Sequence, residues 1–341
     1  TALTDSADLA FDGTNLGIGN SNGFAIDSFR VLYSSSTNQS TLVGRQAGEN
    51  LLSDGNESTV VGYQALCVAT SSDGNTAVGY RALQLNQSGQ INTAVGRLSL
   101  QNNISGNSNV AVGNFSLNAN TTGVANVAVG SLALRANVSG QNNVAVGTNS
   151  LLLNVSGGNN IALGTNSLNA NNSGTGNVAI GRDTLLINTI GTSNTAVGGS
   201  ALRFNLDGTN NVAVGSNAGR FLTNGSALAT TTDFSLFLGD NTEALTTNDQ
   251  NSIVIGYAAE GLGSNTVVLG NDSIVTTALK GQVGIGTTSP YAKLSVDGDL
   301  ALTGGIYDNS ASRGTNGMVM QTTGSGVQWV ATSSLGIGGG G

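Results

Sequence analysis

The most constraining feature of this sequence is a phrase of the type Asn-Val-Ala-Val-Gly that returns at one fixed interval between residues 62 and 215. The glycines that close it span 153 residues, which is nine steps of 17 without a step out of register. These strand glycines are Gly62, Gly79, Gly96, Gly113, Gly130, Gly147, Gly164, Gly181, Gly198 and Gly215. A short unit repeated at constant spacing predicts a solenoid, in which each repeat packs against its two neighbours.

Two further columns of the repeat hold Asn. The first Asn column directly precedes the apolar phrase, and each residue of the second Asn column is followed three residues later by Gly. The first contains Asn75, Asn92, Asn109, Asn126, Asn143, Asn160, Asn177, Asn194 and Asn211. The second contains Asn86, Asn103, Asn120, Asn137, Asn154, Asn171, Asn188 and Asn205. We expect identical Asn side chains to lie above one another and to hydrogen-bond along the stack.

Each 17-residue repeat is predicted to form one rung of an all-β fold, a parallel β-roll or β-solenoid. The Val-Ala-Val piece is too short for a helix and predicts a strand with Val on one face and Ala on the other. A second apolar piece, such as Ala82-Leu83, is predicted to form a second strand. Because Gly and Asn tolerate positive φ, their columns are predicted to mark two corners. Rungs would stack about 4.8 Å apart.

A rung of this kind has a thin core. A few aliphatic side chains must offset the conformational entropy that is lost when seventeen residues become ordered. Stacking and backbone hydrogen bonds contribute the remainder, together with side-by-side association. We therefore expect an oligomer.

The chain divides into four segments. Residues 1–37 are predicted to be a strand-rich cap, 38–222 the regular solenoid and 223–281 irregular rungs. The interval after Gly215 predicts a looped-out rung filled by Phe221, Phe234 and Phe237. Residues 282–341 are predicted to form a hairpin-rich module with a Gly-rich end. In it, Asp297-Gly298 would join strands at 292–296 and 300–302, with two more strands at 318–320 and 327–330.

Composition excludes several classes of partner. Charged residues make up 9% of the chain, the net charge is −8 and Lys and Arg form no run, so we expect no nucleic-acid binding. Apolar runs fall short of the ~20 residues that cross a bilayer, so we expect no membrane insertion of this segment. The start at Thr1 suggests a processed product or an excised portion of a longer chain. Cys67 is interpreted as a small buried apolar residue.

Catalytic chemistry has few candidates here. With no His and one Cys, the Ser-His-acid and Cys-His arrangements and the usual zinc sites are excluded. We expect no enzymatic activity, no cofactor and no metal. Two alternatives stay open: carboxylates paired for glycoside cleavage, and an isolated oxygen-rich cation site. Candidates for the first are Asp233, Asp240, Glu243 and Asp249, and for the second Asp54, Asp73 and Asp272.

Recognition is expected where the repeat is least strict. The residue after each strand glycine varies freely, which is typical of a position that faces solvent or a neighbouring chain. We predict that Tyr63, Tyr80, Arg81 and Arg97 form an outward aromatic and basic patch near one end of the array. Packing of the same residues between subunits is the alternative. Sequons at Asn86 and Asn137 lie in the second Asn column and would carry glycans only in a secretory eukaryote.

Several phrases resemble known fibre proteins. Residues 143–147 (Asn-Val-Ala-Val-Gly) and 251–256 (Asn-Ser-Ile-Val-Ile-Gly) resemble the head repeats of YadA-type trimeric autotransporter adhesins. Residues 283–290, followed by Ala292-Lys293-Leu294, resemble segments of bacteriophage tail fibres and large bacterial surface proteins. The main array departs from the adhesin pattern, because it steps by 17 and not by the 14 that separates Gly256 from Gly270.

The resemblance implies a left-handed parallel β-roll assembled as a homotrimer. It implies a non-catalytic, extracellular structural or adhesive fibre, at a cell surface or in a virion tail fibre, that attaches to a host or cell-surface receptor such as a glycan. A homopolymeric filament is the alternative, because residues 335–338 repeat the Leu-Gly-Ile-Gly of residues 16–19. A tailspike-type polysaccharide depolymerase is a further one. An ice-binding Thr array is disfavoured, since Thr76 and Thr93 give way to Val in the following rungs.

Overall fold

The computed structural model describes residues 9–11, 16–18, 24–26, 29–34, 40–51, 57–223 and 231–336. The described residues are all-β, apart from one 3₁₀ turn at Thr332–Leu335. The chain splits into two compact units, Thr1–Ile274 and Val275–Gly341. The division lies within the segment predicted to hold irregular rungs.

The predicted parallel solenoid with 17-residue spacing is confirmed. Strands of neighbouring rungs pair in parallel and without slippage, so that Val127, Ala128 and Val129 lie beside residues 144–146 of the next rung. They are β5 (Thr41–Arg45), β6 (Thr59–Val61), β7 (Thr76–Val78), β8 (Thr93–Val95), β9 (Val110–Val112), β10 (Val127–Val129), β11 (Val144–Val146), β12 (Ile161–Leu163), β13 (Val178–Ile180), β14 (Thr195–Val197), β15 (Val212–Val214), β16 (Leu236–Leu238), β17 (Ile253–Ile255) and β18 (Val267–Leu269).

The second strand predicted for each rung is wrong. After each strand glycine the chain makes a run of turns in which the second and fourth residues are left-handed, as at Arg81 (φ 55°) and Leu83 (φ 51°). This alternation coils the backbone while the fourth residue, Leu83, stays fully buried. The turns still hydrogen-bond between rungs, because Leu83 N donates to the Ser99 carbonyl oxygen at 3.0 Å. Regular inter-rung bonding therefore does not require extended backbone here.

The corners form for different reasons from those predicted. The Asn columns do not adopt positive φ; the residue before the first Asn column does, as at Ile91 (φ 57°) and Asn142 (φ 56°). The strand glycine Gly130 has φ 135°, and a Cβ there would lie 2.7 Å from the Gly147 carbonyl. Gly140, in the Gly column that follows the second Asn column, is needed for close packing alone, since its Cβ would lie 2.4 Å from the Gly157 oxygen.

The core consists of inward Ala and Leu with two Asn side chains per rung. Ala145 and Leu151 are fully buried, whereas Val144 and Val146 point outward, Val144 being half-buried and Val146 exposed. The prediction that Val and Ala occupy opposite faces is confirmed, and Ala lies on the inner one. The leucines at the position of Leu151 in the other regular rungs are buried too, and the column consists of Leu66, Leu83, Leu100, Leu117, Leu134, Leu151, Leu168, Leu185 and Leu202.

Both ends of the array depart from the regular rung. At the start, β4 (Phe29–Ser34) pairs antiparallel with β5 and with β3 (Phe24–Ile26), which completes a 16-stranded sheet. A separate antiparallel pair joins β1 (Leu9–Phe11) and β2 (Leu16–Ile18).

Beyond Gly215, the aromatic residues divide between core and surface. Phe237 replaces Ala in the core and is fully buried, while Phe234 is exposed. The predicted loop falls on residues 224–230, which lie outside the described residues.

The C-terminal unit contains two small sheets. Strand β19 (Val283–Ile285) pairs in parallel with β20 (Leu294–Val296), so the hairpin predicted at Asp297-Gly298 is wrong and residues 300–302 form no strand. The predicted strands near 318 and 327 are confirmed. They are β21 (Met318–Thr322) and β22 (Val327–Ala331), which pair antiparallel.

Candidate binding surface on one corner of the solenoid

The first Asn column forms a buried amide ladder, as predicted. Asn143 Nδ2 donates to Asn126 Oδ1 at 3.0 Å and to the Gly157 carbonyl at 2.9 Å. Its own Oδ1 accepts from the backbone N and the Nδ2 of Asn160, at 3.0 and 3.1 Å. Since both donors and both acceptor positions of the amide are used, this column is fully engaged in holding rungs together.

The second Asn column makes a parallel ladder that meets the first. Asn137 Nδ2 donates to Asn120 Oδ1 at 2.8 Å and to the Gly140 carbonyl at 3.1 Å. The same Gly140 oxygen accepts from Asn126 Nδ2 of the first column at 2.8 Å. The sequon residues Asn86 and Asn137 are fully buried, so their side chains are inaccessible to modification in the folded chain.

Serines extend the first ladder at both ends, which sequence reasoning missed. Ser58 Oγ accepts from Asn75 N at 3.2 Å, and Ser235 N donates to Asn211 Oδ1 at 3.0 Å. Ser252 N then donates to Ser235 Oγ at 3.2 Å. The signal was available, because these serines precede a strand at the same place as Asn does in the regular rungs.

All arginines of residues 40–274 lie in one part of the rung. Each one falls within five residues after a strand glycine or its equivalent, and the same range contains no Lys. The arginines are Arg45, Arg81, Arg97, Arg135, Arg182, Arg203 and Arg220. We call the six residues that follow each of these glycines the basic corner. Because rungs stack in register, this clustering in the repeat places the only solenoid cations along one edge.

The structure brings the four predicted patch residues together. The rings of Tyr63 and Tyr80 stack with centroids 5.6 Å apart and 17° between their planes. The guanidinium carbons of Arg81 and Arg97 lie 5.0 and 5.9 Å from the Tyr80 centroid. Tyr80 and Arg97 are exposed, while Tyr63 and Arg81 are half-buried. Cations at these distances are attracted to the face of the ring.

Two residues that sequence reasoning missed continue this group. Arg97 also lies 5.2 Å from the centroid of Phe115, and Arg135 lies 5.8 Å from the same ring. We call these six residues the Tyr80 patch: Tyr63, Tyr80, Arg81, Arg97, Phe115 and Arg135. Its arrangement alternates cations and aromatic rings over several rungs and combines positive charge with apolar surface.

A row of side-chain amides borders the Tyr80 patch. Gln64 Oε1 accepts from Arg81 Nε at 2.9 Å and from Gln84 Nε2 at 3.2 Å. Gln101 Nε2 donates to Gln84 Oε1 at 2.8 Å, and Asn118 Nδ2 donates to Gln101 Oε1 at 3.2 Å. These bonds fix the orientation of Arg81 and hold the row in register with the rungs.

The carboxylates considered for glycoside cleavage have separate local roles. Asp249 accepts from Leu245 N, Thr246 N and Thr246 Oγ1, and Asp233 Oδ1 accepts from Thr209 N and Oγ1. Asp240 is exposed. Burial, and then the nearby Glu260, raise the pKa of Glu243. The charge that acts on Glu243 thus comes from outside the predicted group.

The candidate cation ligands are not brought together. Asp54 lies outside the described residues, Asp73 is half-buried and Asp272 is exposed. Within the described ranges, no group of three or more His, Cys, Asp or Glu side chains could hold a metal ion. Cys67 is buried, and its burial raises the pKa of the thiol. The described residues also include no helix with the length and hydropathy of a membrane span.

Comparison of the chain with protein-family models, curated proteins and solved structures gave no match.

Proposed function

We propose that this chain acts in association and adhesion, and the outer face of the solenoid sheet is the observation on which this proposal rests. Two columns of β-branched and aliphatic side chains cover this face, and many remain more than a third exposed, for example Val146 at 38% and Ile180 at 38%. The columns contain Thr76, Thr93, Val110, Val127, Val144, Ile161, Val178, Thr195 and Val212, and Val78, Val95, Val112, Val129, Val146, Leu163, Ile180, Val197 and Val214. Large contiguous apolar surfaces of this kind mark association sites.

We propose that this chain is a non-catalytic structural and adhesive fibre protein that acts outside the cell, at a cell surface or in a virion tail fibre. Three copies associate through their outer sheet faces, which removes the apolar columns from water. The resulting rigid rod presents the Tyr80 patch to a host or cell-surface receptor such as a glycan. The thin core of each rung supports association, because its buried apolar side chains in the described regular rungs are mostly Ala and Leu.

A homopolymeric filament is the second candidate, and one observation favours it. Strand β18 is the last strand of the 16-stranded sheet and pairs within it with β17 alone. An edge strand of this kind is a template for a strand from another copy. The two candidates differ in symmetry, since face-to-face association closes and edge-to-edge addition remains open.

The first test is the absolute mass of the intact chain, measured by light scattering during size exclusion. A closed species of three times the 33.9 kDa chain mass is expected. The double variant Val129→Lys, Val146→Lys places charges on the outer sheet face and should give a monomer. The control variant Thr148→Lys, Thr165→Lys changes two exposed residues of the corner and should keep the trimer mass.

Two results would contradict the proposal. A monomeric wild-type chain at micromolar concentration would exclude association as the role of the outer face, and an open-ended distribution of masses would favour the filament.

For adhesion, the double variant Tyr63→Ser, Tyr80→Ser should lose target binding. Tyr257→Ser is the matched control, because Tyr257 also follows a strand glycine and is 68% exposed, but lies outside the patch.

A further inference from the structure

A second group of basic and aromatic residues lies on the basic corner, several rungs beyond the Tyr80 patch. We call it the Arg220 cluster, and its members are Arg182, Asp183, Arg203, Phe204, Arg220 and Phe221. The guanidinium carbon of Arg220 lies 4.4 Å from the centroid of Phe221 and 5.5 Å from that of Phe204. Arg203 lies 5.4 Å from Phe204. Two guanidinium groups are thus held against two rings whose centroids are 6.4 Å apart.

The cluster carries excess positive charge in an acidic protein. It contains three arginines and one carboxylate, a formal charge of +2, whereas the whole chain carries −8. Asp183 Oδ2 lies 3.7 Å from Arg203 Nη1 and 3.8 Å from Arg182 Nε, which is longer than a hydrogen bond. Asp183 Oδ1 accepts instead from Asn166 Nδ2 at 2.9 Å. The single acid therefore leaves the arginine donors largely unengaged.

Two of these donors are buried without an acceptor. Among the described residues, Nε of Arg203 and Nε of Arg220 have no hydrogen-bond partner, although both atoms are shielded from solvent. Arg220 Nη1 donates to Asn217 Oδ1 at 2.7 Å, so the guanidinium is held in place by one of its other nitrogens. In the Tyr80 patch, by contrast, Arg81 Nε has Gln64 Oε1 as its acceptor.

The local electrostatics also favour an anion. Burial and the like charge of Arg203 lower the pKa of Arg220, and Asp183 opposes this effect. An oxyanion beside the two guanidinium groups would accept from their N–H groups and reduce their mutual repulsion. Oxyanions suit this role because two guanidinium N–H groups can pair with two oxygens of a carboxylate or a sulfate group in a fixed geometry.

We propose that the Arg220 cluster binds the carboxylate or sulfate group of an acidic saccharide, with the guanidinium groups of Arg203 and Arg220 as donors. The half-buried rings of Phe204 and Phe221 provide an apolar wall against which a sugar ring can pack. The binding site lies within one chain, so it does not depend on the proposed association of copies.

The test is titration of the intact chain with an oligogalacturonate of defined length, followed by calorimetry. A neutral oligosaccharide of the same length and a single-stranded oligonucleotide serve as comparison probes. Arg203→Gln and Arg220→Gln should each weaken oligogalacturonate binding by about tenfold or more, whereas Arg45→Gln, an exposed residue outside both the Tyr80 patch and the Arg220 cluster, should leave it unchanged. The Nε–H resonances of Arg203 and Arg220 should shift on addition of the acidic probe and not on addition of the neutral one.

Several outcomes would overturn the proposal. Undetectable oligogalacturonate binding, equal binding by the Arg→Gln variants, or equal binding of the neutral saccharide would each contradict it. Tighter binding of the oligonucleotide would assign the site to phosphate. If Arg220→Gln does not fold, Arg220→Lys keeps the charge and removes the forked guanidinium donors, so it should also bind more weakly. Light scattering on the same samples separates loss of binding from loss of assembly.

Discussion

The regular rungs and the C-terminal unit bury their residues to very different extents. Each regular rung encloses Ala, Leu and two Asn side chains, and the residue above each of them is of the same type. In the described part of residues 275–336, Ser295 alone is buried. Two-stranded sheets are marginal by themselves, whereas stacked repeats gain an interface with each neighbour. Order in this chain therefore depends on repetition more than on apolar content.

This contrast predicts that the solenoid is most sensitive at its strand glycines. Gly130→Ala should destabilise it by about 3 kcal/mol or more, because the residue has φ 135° and the new Cβ would lie 2.7 Å from the Gly147 carbonyl. Gly199→Ala is the matched control, since nothing lies within 4 Å of its Cβ, and it should have almost no effect. Denaturant unfolding measures both. Equal stabilities of the two variants would contradict the close packing between rungs.

The amide ladder gives the next largest expected effect. Asn143→Ala removes both donors and both acceptor positions of a buried amide and leaves Asn160 N without an acceptor. We expect a loss of about 2 to 4 kcal/mol, because buried groups that lose their partners carry the full desolvation penalty. Asn114→Ala is the control, as Asn114 is exposed. Thermal unfolding followed by circular dichroism compares them. If the ladder contributed little to stability, the two variants would have the same unfolding midpoint.

These two predictions rest on columns that were readable from the sequence, whereas other features were not. The strand at 144–146 and the stacking of Asn143 follow from the repeat, since identical residues at fixed spacing must occupy equivalent places. Leu151 is different. Its φ is 49°, a conformation that Leu disfavours. A small residue followed by Leu therefore predicted an extended strand and not this turn. The turn forms because hydrogen bonds to the neighbouring rungs satisfy its backbone N–H and C=O groups. The local sequence does not indicate those bonds.

In the candidate site, too, some contacts could be predicted from the sequence and others could not. Tyr63 and Tyr80 occupy one column in successive rungs, so their stacking could be expected from the 17-residue interval. Phe115 and Arg135 come from different columns, the second and fifth after a strand glycine. The approach of Phe115 to Arg97 and to Arg135 depends on the shape of the turn. The C-terminal unit has no columns, and there the prediction of a hairpin at Asp297-Gly298 failed because two short strands pair in parallel instead.

The repeat also identifies residues whose type is unfavourable for the backbone conformation at their position. Ile91 has φ 57° and is 66% exposed, whereas the other regular rungs have Asn, Ser, Gly or Ala at this left-handed position. Ile91→Asn should therefore stabilise the chain by about 1 kcal/mol, because β-branched residues are strained there and little apolar burial is lost. The reciprocal variant Asn142→Ile should destabilise by a similar amount. Urea unfolding measures both, and changes of the same sign would refute the backbone explanation.

In the irregular rungs, Glu243 has an unfavourable electrostatic environment, and we expect its effect on stability to be smaller than those above. The pKa of Glu243 is raised above its ordinary value of 4.5 by burial and by Glu260, so ionised Glu243 disfavours folding at neutral pH. Its unfavourable contribution is absent below the unfolded pKa and develops as pH rises through the folded one. Glu243→Gln should therefore stabilise at pH 7 by less than about 1 kcal/mol and give no gain near pH 4. Thermal melts at both values test this, and a gain that persists at pH 4 would indicate another cause.

The smallest expected effect lies in the C-terminal unit, where a change should remain local. Asp308 accepts hydrogen bonds from Ser310 N and Oγ, Ser312 N and Trp329 N, and these lower its pKa from 3.8 to about 2. Because the folded pKa is depressed, the stabilisation is present above pH 3.8 and is lost as pH falls toward 2. In the wild-type chain, nuclear magnetic resonance signals of β21 and β22 should change in this window, while those of the regular rungs do not.

Asp308→Asn should remove this pH dependence and leave the melting midpoint of the solenoid unchanged. The reason is that a neutral amide cannot titrate in this range and that the described part of residues 275–336 has a single buried residue through which to transmit a change. Hydrogen exchange of the amides of Ser310 and Ser312 measures the local effect at pH 5. If Asp308→Asn lowers the solenoid midpoint, the two regions are coupled, and the order of the regular rungs depends on more than their own repetition.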